Sequence, residues 1–97
     1  MASSTRTNPD DWQTLSLRDS TSIDNVRFHP GSGRLRVAFV RRWRKANYVE
    51  YARVPAQTFH RFPHGPGAGA YFVRNIRNHS PRYSWHYIDG HKFWRND

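Results

Sequence analysis

The sequence predicts a small α+β domain: a three-stranded antiparallel meander covered by one or two short helices, with a C-terminal β-hairpin after it. Three observations carry that prediction. Apolar and polar residues alternate through Val26–Phe28 and Leu35–Phe39, the period of half-buried strands. Phe59 with Phe62, then Phe72, Val73 and Ile76, stand at helical spacings after Pro55 and after a glycine-rich loop. Asp89-Gly90 interrupts an alternating aromatic run, the pattern of a two-residue type I′ turn.

Residues 1–20 read as an N-terminal tail rich in Ser, Thr, Asn and Asp, expected to be mobile to about residue 11. Trp12, Leu15 and Leu17 stand out in it; they form a short strand or turn that docks on the domain, or they stay loose. Ile23–His29 is the first strand, ended by the turn Pro30-Gly31-Ser32-Gly33. Leu35–Val40 and Tyr48–Val54 follow as a hairpin whose tip is Arg41-Arg42-Trp43-Arg44-Lys45. Pro55 cannot continue a central ladder and opens a helix of about two turns, which stops before Pro63.

His64–Gly69 reads as a loop and Ala70–Asn78 as a second helix, with Phe72, Val73 and Ile76 inward and Arg74 and Arg77 outward. Counting outward from Asp89-Gly90 pairs Trp85 with Trp94 and Tyr87 with Lys92, so these four share one hairpin face. A helix is the alternative there, disfavoured because Asp-Gly interrupts it. The domain then spans residues 21–84, and residues 85–97 extend it.

At 97 residues the chain makes one domain with little surplus stability. Leu, Ile, Val and Phe number only 18 at a net charge of +9, whereas the 15 aromatics argue for a small aromatic core. Without cysteine there is neither a disulfide framework nor a thiolate zinc site. No apolar run approaches the roughly 18 residues of a membrane span, and no secretory signal opens the chain, so the cytoplasm is the expected location. Fourteen of the 16 cations are Arg, and between Asn25 and Ile88 twelve cations face one acid, Glu50. That imbalance predicts attraction to phosphate backbones, acidic proteins or anionic membranes.

Residues from about Ser22 to Tyr83 resemble the KTSC domain, found at the C-terminus of some lysyl-tRNA synthetases and as stand-alone small proteins of bacteria and phages. The likeness rests on Ser22-Ile23, on Phe28 with the following Gly-Ser-Gly turn, and on Leu35-x-Val37-x-Phe39. It continues through Tyr51-Ala-Arg-Val54-Pro55, Phe59, the glycines before Tyr71-Phe72, and Asn75-Ile76-Arg77 leading to Tyr83. Where the family has Tyr-x-Tyr, this chain has Val49-Glu50-Tyr51 with a tyrosine displaced to Tyr48, and Arg41–Lys45 lengthens the preceding turn. The resemblance implies a small α+β domain in a bacterial or phage-infected cell and points toward RNA.

The main candidate site is the hairpin tip, Arg41, Arg42, Trp43, Arg44 and Lys45, with Tyr48 nearby. Guanidinium forks suit phosphate, and aromatic faces suit exposed bases. The competing view is a solvated tip with Trp43 folded back on the sheet. Arg34 and Arg36 share the solvent face of the second strand and add a platform, and Arg74 with Arg77 extends a phosphate track. A second function class is a protein-interaction module that docks an acidic surface through Trp85, Tyr87, Lys92 and Trp94.

His60 and His64 lie four apart, but Pro63 intervenes and no carboxylate is near, so no metal is expected. Gly65, Gly67 and Gly69 lack the Gly-Lys-Ser/Thr of a phosphate-cradling loop. No nucleophile, base and acid stand in a catalytic pattern, so neither enzyme activity nor a cofactor is expected.

Overall fold

A computed structural model describes residues 11–17, 22–40, 48–64, 67–79 and 83–96. Within them one antiparallel sheet runs in chain order: β1 (Gln13–Ser16), β2 (Ile23–His29), β3 (Arg34–Phe39), β4 (Tyr48–Tyr51) and β5 (Trp85–Ile88). Three helices join it, α1 (Ala56–His60), α2 (Ala68–Asn75) and α3 (Gly90–Trp94), with a 3-10 turn at Arg77–His79. The α+β class and the central meander are as expected. The sheet has five strands rather than three because each end of the chain adds one.

β1 lies in the stretch read as a tail; it pairs with β2 so that Leu15 sits opposite Val26, and Leu17 is buried. At the other end the expected hairpin does not form. β5 pairs instead with β4, placing Trp85 opposite Tyr51 and Tyr87 opposite Val49. Asp89 then ends the strand as a helix cap, its Oδ1 accepting the Lys92 N–H at 2.8 Å. Gly90 does not take the positive φ that a type I′ turn needs. A short helix at this point carries Phe93 onto the sheet, where it is fully buried.

One face of the sheet is apolar. Val26, Val37 and Val49 line up across β2, β3 and β4, as do Phe28, Leu35 and Tyr51. A bulge between Ile23 and Asn25 sets Ile23 opposite Phe39 and turns both toward this face. The helices α1 and α2 cover it: Phe59 stacks on Phe28 at 5.1 Å, and Phe72 meets Phe39 and Tyr51 edge-on at 5.3 and 5.8 Å. Each such side chain, fully buried, contributes about 1.5–3 kcal/mol. The Tyr71 hydroxyl ties the two helices by donating to the Thr58 carbonyl at 2.7 Å.

Proline limits α1 on both sides, as expected, but α2 begins two residues early and takes in Gly69. A Cβ there would lie 2.9 Å from Ser22 Oγ, so only glycine lets the helix approach the start of β2 so closely. The buried stripe is Ala68, Phe72 and Ile76, four apart, which leaves Val73 on the exposed side rather than the expected inward one. Among the described residues no helix is long and apolar enough to cross a membrane.

Candidate nucleic-acid interface

The second face of the sheet carries polar side chains in register. Thr14, Arg27, Arg36, Glu50 and His86 stand directly opposite one another across all five strands. Arg36, expected on a solvent face, is 0% exposed. Its Nε donates to Glu50 Oε2 at 2.8 Å, and Glu50 Oε1 lies 3.3 Å from His86 Nε2. Arg34 reaches the same carboxylate at 3.7 Å and is partly exposed.

The helix α3 lies over this row, and the row closes the helix. The last carbonyls of a helix lack internal partners. Here Arg36 Nη1 donates to the carbonyls of Lys92 at 2.6 Å and Arg95 at 2.8 Å. Arg27 Nη1 donates to those of Phe93 at 2.8 Å and Arg95 at 3.1 Å, and its Nη2 donates to Asn96 Oδ1 at 2.8 Å. Cations at the negative end of a helix are also electrostatically favoured. Burial, then the neighbouring Arg36 charge, pulls the pKa of Arg27 below the usual arginine value.

Trp12 roofs the cluster, its ring 4.0 Å from the Arg36 guanidinium carbon, 5.0 Å from that of Arg34 and 5.2 Å from that of Arg27. Phe93 completes a small second core with Ala38 and Ile88. Tyr48, expected to be a stacking residue, packs its ring on Phe93 at 5.3 Å and so belongs partly to this core. Tyr48 thus stands on the opposite face of the sheet from Tyr51.

The remaining candidates fall in three places. Arg41, Arg42, Trp43, Arg44 and Lys45 lie outside the described residues. Arg74, on α2, and Arg77, in the 3-10 turn, are exposed. Burial raises the pKa of the Tyr51 phenol, and the positive charge of Arg77 partly offsets that rise. The four residues expected to share a hairpin face are divided. Trp85 and Tyr87 project on the side of α1 and α2, whereas Trp94 belongs to α3 on the other side, 5.7 Å from Arg27. Lys92 is exposed on α3. His60 is exposed at the end of α1.

Sequence reasoning missed the Arg27, Arg36, Glu50 and Trp12 cluster. Its signal was Glu50 itself, a lone carboxylate inside a strand at the same alternation as the arginines of the preceding strands.

A KTSC domain model matches residues 19–83. The fold is similar to the crystal structure of a KTSC domain protein from Yersinia pestis, with a TM-score of 0.62 at 19% identity over 80% of this chain and 99% of that one. No curated protein matches the chain. With the family model spanning well over half of the sequence, the chain belongs to the KTSC domain family.

Proposed function

We propose that the protein is a nucleic-acid-binding module, with RNA the favoured polymer, that works by charge and stacking and not by catalysis. The observation that carries this reading is the position of Glu50. It is the single acid between Asn25 and Ile88, against twelve cations, and it is only 5% exposed, held inside the sheet by Arg36. The exposed arginines of that stretch, Arg53, Arg61, Arg74 and Arg77, therefore meet solvent with no surface carboxylate from the same stretch beside them. Arg41, Arg42, Arg44 and Lys45, with Trp43 among them, add the densest run of cations in the sequence. Arg36 is withdrawn from this account because it is buried, and Arg34 contributes through its partly exposed guanidinium.

The test is a titration of labelled single-stranded RNA at two salt concentrations. Affinity falls by tenfold or more between about 50 and 200 mM salt if several phosphates are neutralised. The Arg41→Ala, Arg42→Ala, Arg44→Ala triple variant weakens binding and lowers the steepness of the log-log salt plot by about 2. Equal affinity at both salt concentrations sinks the proposal. A partner that persists in pull-downs after nuclease treatment favours an acidic protein surface instead.

A further inference from the structure

We propose that β5 and the groove between it and α3 form a stacking site for unpaired bases, so that the protein takes single-stranded rather than duplex nucleic acid. This rests on the nucleic-acid binding proposed above and names the form of polymer bound. The argument begins with two aromatic side chains that folding leaves in water. Trp85 is 45% exposed and Tyr87 63%, although Phe93, a few residues on, is completely buried. They stand two apart on a strand at the end of the sheet, project to the same side, and meet edge to face at 5.4 Å. Trp85 is backed by the buried Tyr51 at 6.4 Å, so its ring is supported from below.

On the other side of β5, facing α3, lies an open groove of about 500 Å³ lined by Tyr48, His86, Tyr87, Ile88, Asp89, Gly90 and Lys92. Tyr87 belongs to both the pair and the groove. Because the two rings are perpendicular, a base stacks on the exposed face of one of them, Tyr87 or Trp85, whatever its identity, and a neighbouring base has room in the groove on the other side of Tyr87. Lys92 supplies a cation at the groove, while Asp89 Oδ1 is engaged by the Lys92 N–H. A duplex keeps its base faces stacked inside the helix and offers these rings nothing to stack on. The charge points to a polyanionic occupant: the chain carries +9 and buries the single acid of its central stretch.

The experiment titrates the full chain with a 12-nucleotide oligouridine and with an RNA duplex of equal length at low salt. Both are repeated with Trp85→Ala, Tyr87→Ala and Tyr87→Phe, each first shown by thermal melting to be folded. Tyr87 is the more exposed of the two, so its variants keep the test valid if Trp85→Ala loosens the sheet. Tyr87→Ala and Trp85→Ala each weaken oligouridine binding by roughly tenfold and leave the salt slope and the duplex affinity unchanged. Tyr87→Phe retains binding. If oligouridine and duplex bind equally well and the aromatic variants change neither, the stacking site is refuted while charge-driven binding stands. If neither RNA binds, both proposals fall. Binding of poly-glutamate with the same dependence on Trp85 and Tyr87 overturns the site in favour of an acidic protein partner.

Discussion

On the side of the sheet that carries α1 and α2, Val26, Val37 and Val49 line up across three strands; on the side that carries α3, the corresponding line is Arg27, Arg36 and Glu50. Both lines are closed to solvent. The valines need only neighbours of the right volume, so damage there grows with the cavity left behind. The arginines and Glu50 need partners of the right charge and direction, so damage there depends on what is left unpaired. The same strands thus supply two cores governed by different rules.

The sharpest way to separate the rules is Arg36→Ala. It takes the 2.8 Å partner from the buried Glu50 carboxylate and one of the two donors from each of the Lys92 and Arg95 carbonyls, and is expected to cost about 3–5 kcal/mol in urea unfolding. The double variant Arg36→Met, Glu50→Leu removes both charges. It is expected to recover most of that loss, since a buried pair is often replaceable by apolar residues. What it does not restore is the second donor to the Lys92 and Arg95 carbonyls, which keep the Arg95 N–H and Arg27 Nη1 respectively, leaving a deficit of about 0.5–1.5 kcal/mol. A double variant no better than Arg36→Ala would mean that the stranded charge is not the source of the loss. On the valine side no such pairing exists: Val37→Ala with Val49→Ala only deepens one cavity.

Phe93→Ala tests how separately the α3 side behaves. Phe93 is the apolar anchor of a five-residue helix, too short to persist alone. The expected loss is about 3 kcal/mol. Its signature is local. Amide exchange accelerates at Phe93 and Arg95, whose N–H groups bond within the helix end, while Val26 and Val37 retain their protection. Uniform loss of protection would show instead that the two faces form one cooperative unit.

Much of the valine side was legible in the sequence, and little of the arginine side was. Leu35, Val37 and Phe39 reveal one face by alternation alone, and Pro55 and Pro63 limit α1. The same alternation set Arg34 and Arg36 together on the other face, but period two says only that two faces exist, not that both are covered. Covering Arg36 depends on where residues 90–96 return, a long-range fact without local pattern. Asp89 illustrates the ambiguity: Asp-Gly suits both a type I′ turn and a helix cap, and Phe93's place against Ala38 and Ile88 decides between them. The exposed pair on β5 was legible as aromatic residues two apart, but its separation from Trp94 was not, since that follows from β5 pairing with β4.

The smallest expected effect concerns Trp12, which closes the arginine side from above. Its ring lies against three guanidinium groups, and such contacts contribute roughly 0.5–2 kcal/mol depending on how far water is excluded. Its Nε1 is buried and, among the described residues, has no hydrogen-bond partner, a defect that costs about 1–3 kcal/mol. The two contributions oppose each other within one side chain. Trp12→Ala removes the ring and the roof together and is expected to lose about 1–2 kcal/mol. Trp12→Phe keeps a ring over the arginines and discards the unpartnered N–H, so its stability stays within about 0.5 kcal/mol of the parent. Equal losses in the two variants would show that the indole N–H is satisfied in solution and that the arginine side has no unmet polar group. A Phe variant close to the parent places the value of Trp12 in its ring face, the part that no valine-side residue has to supply.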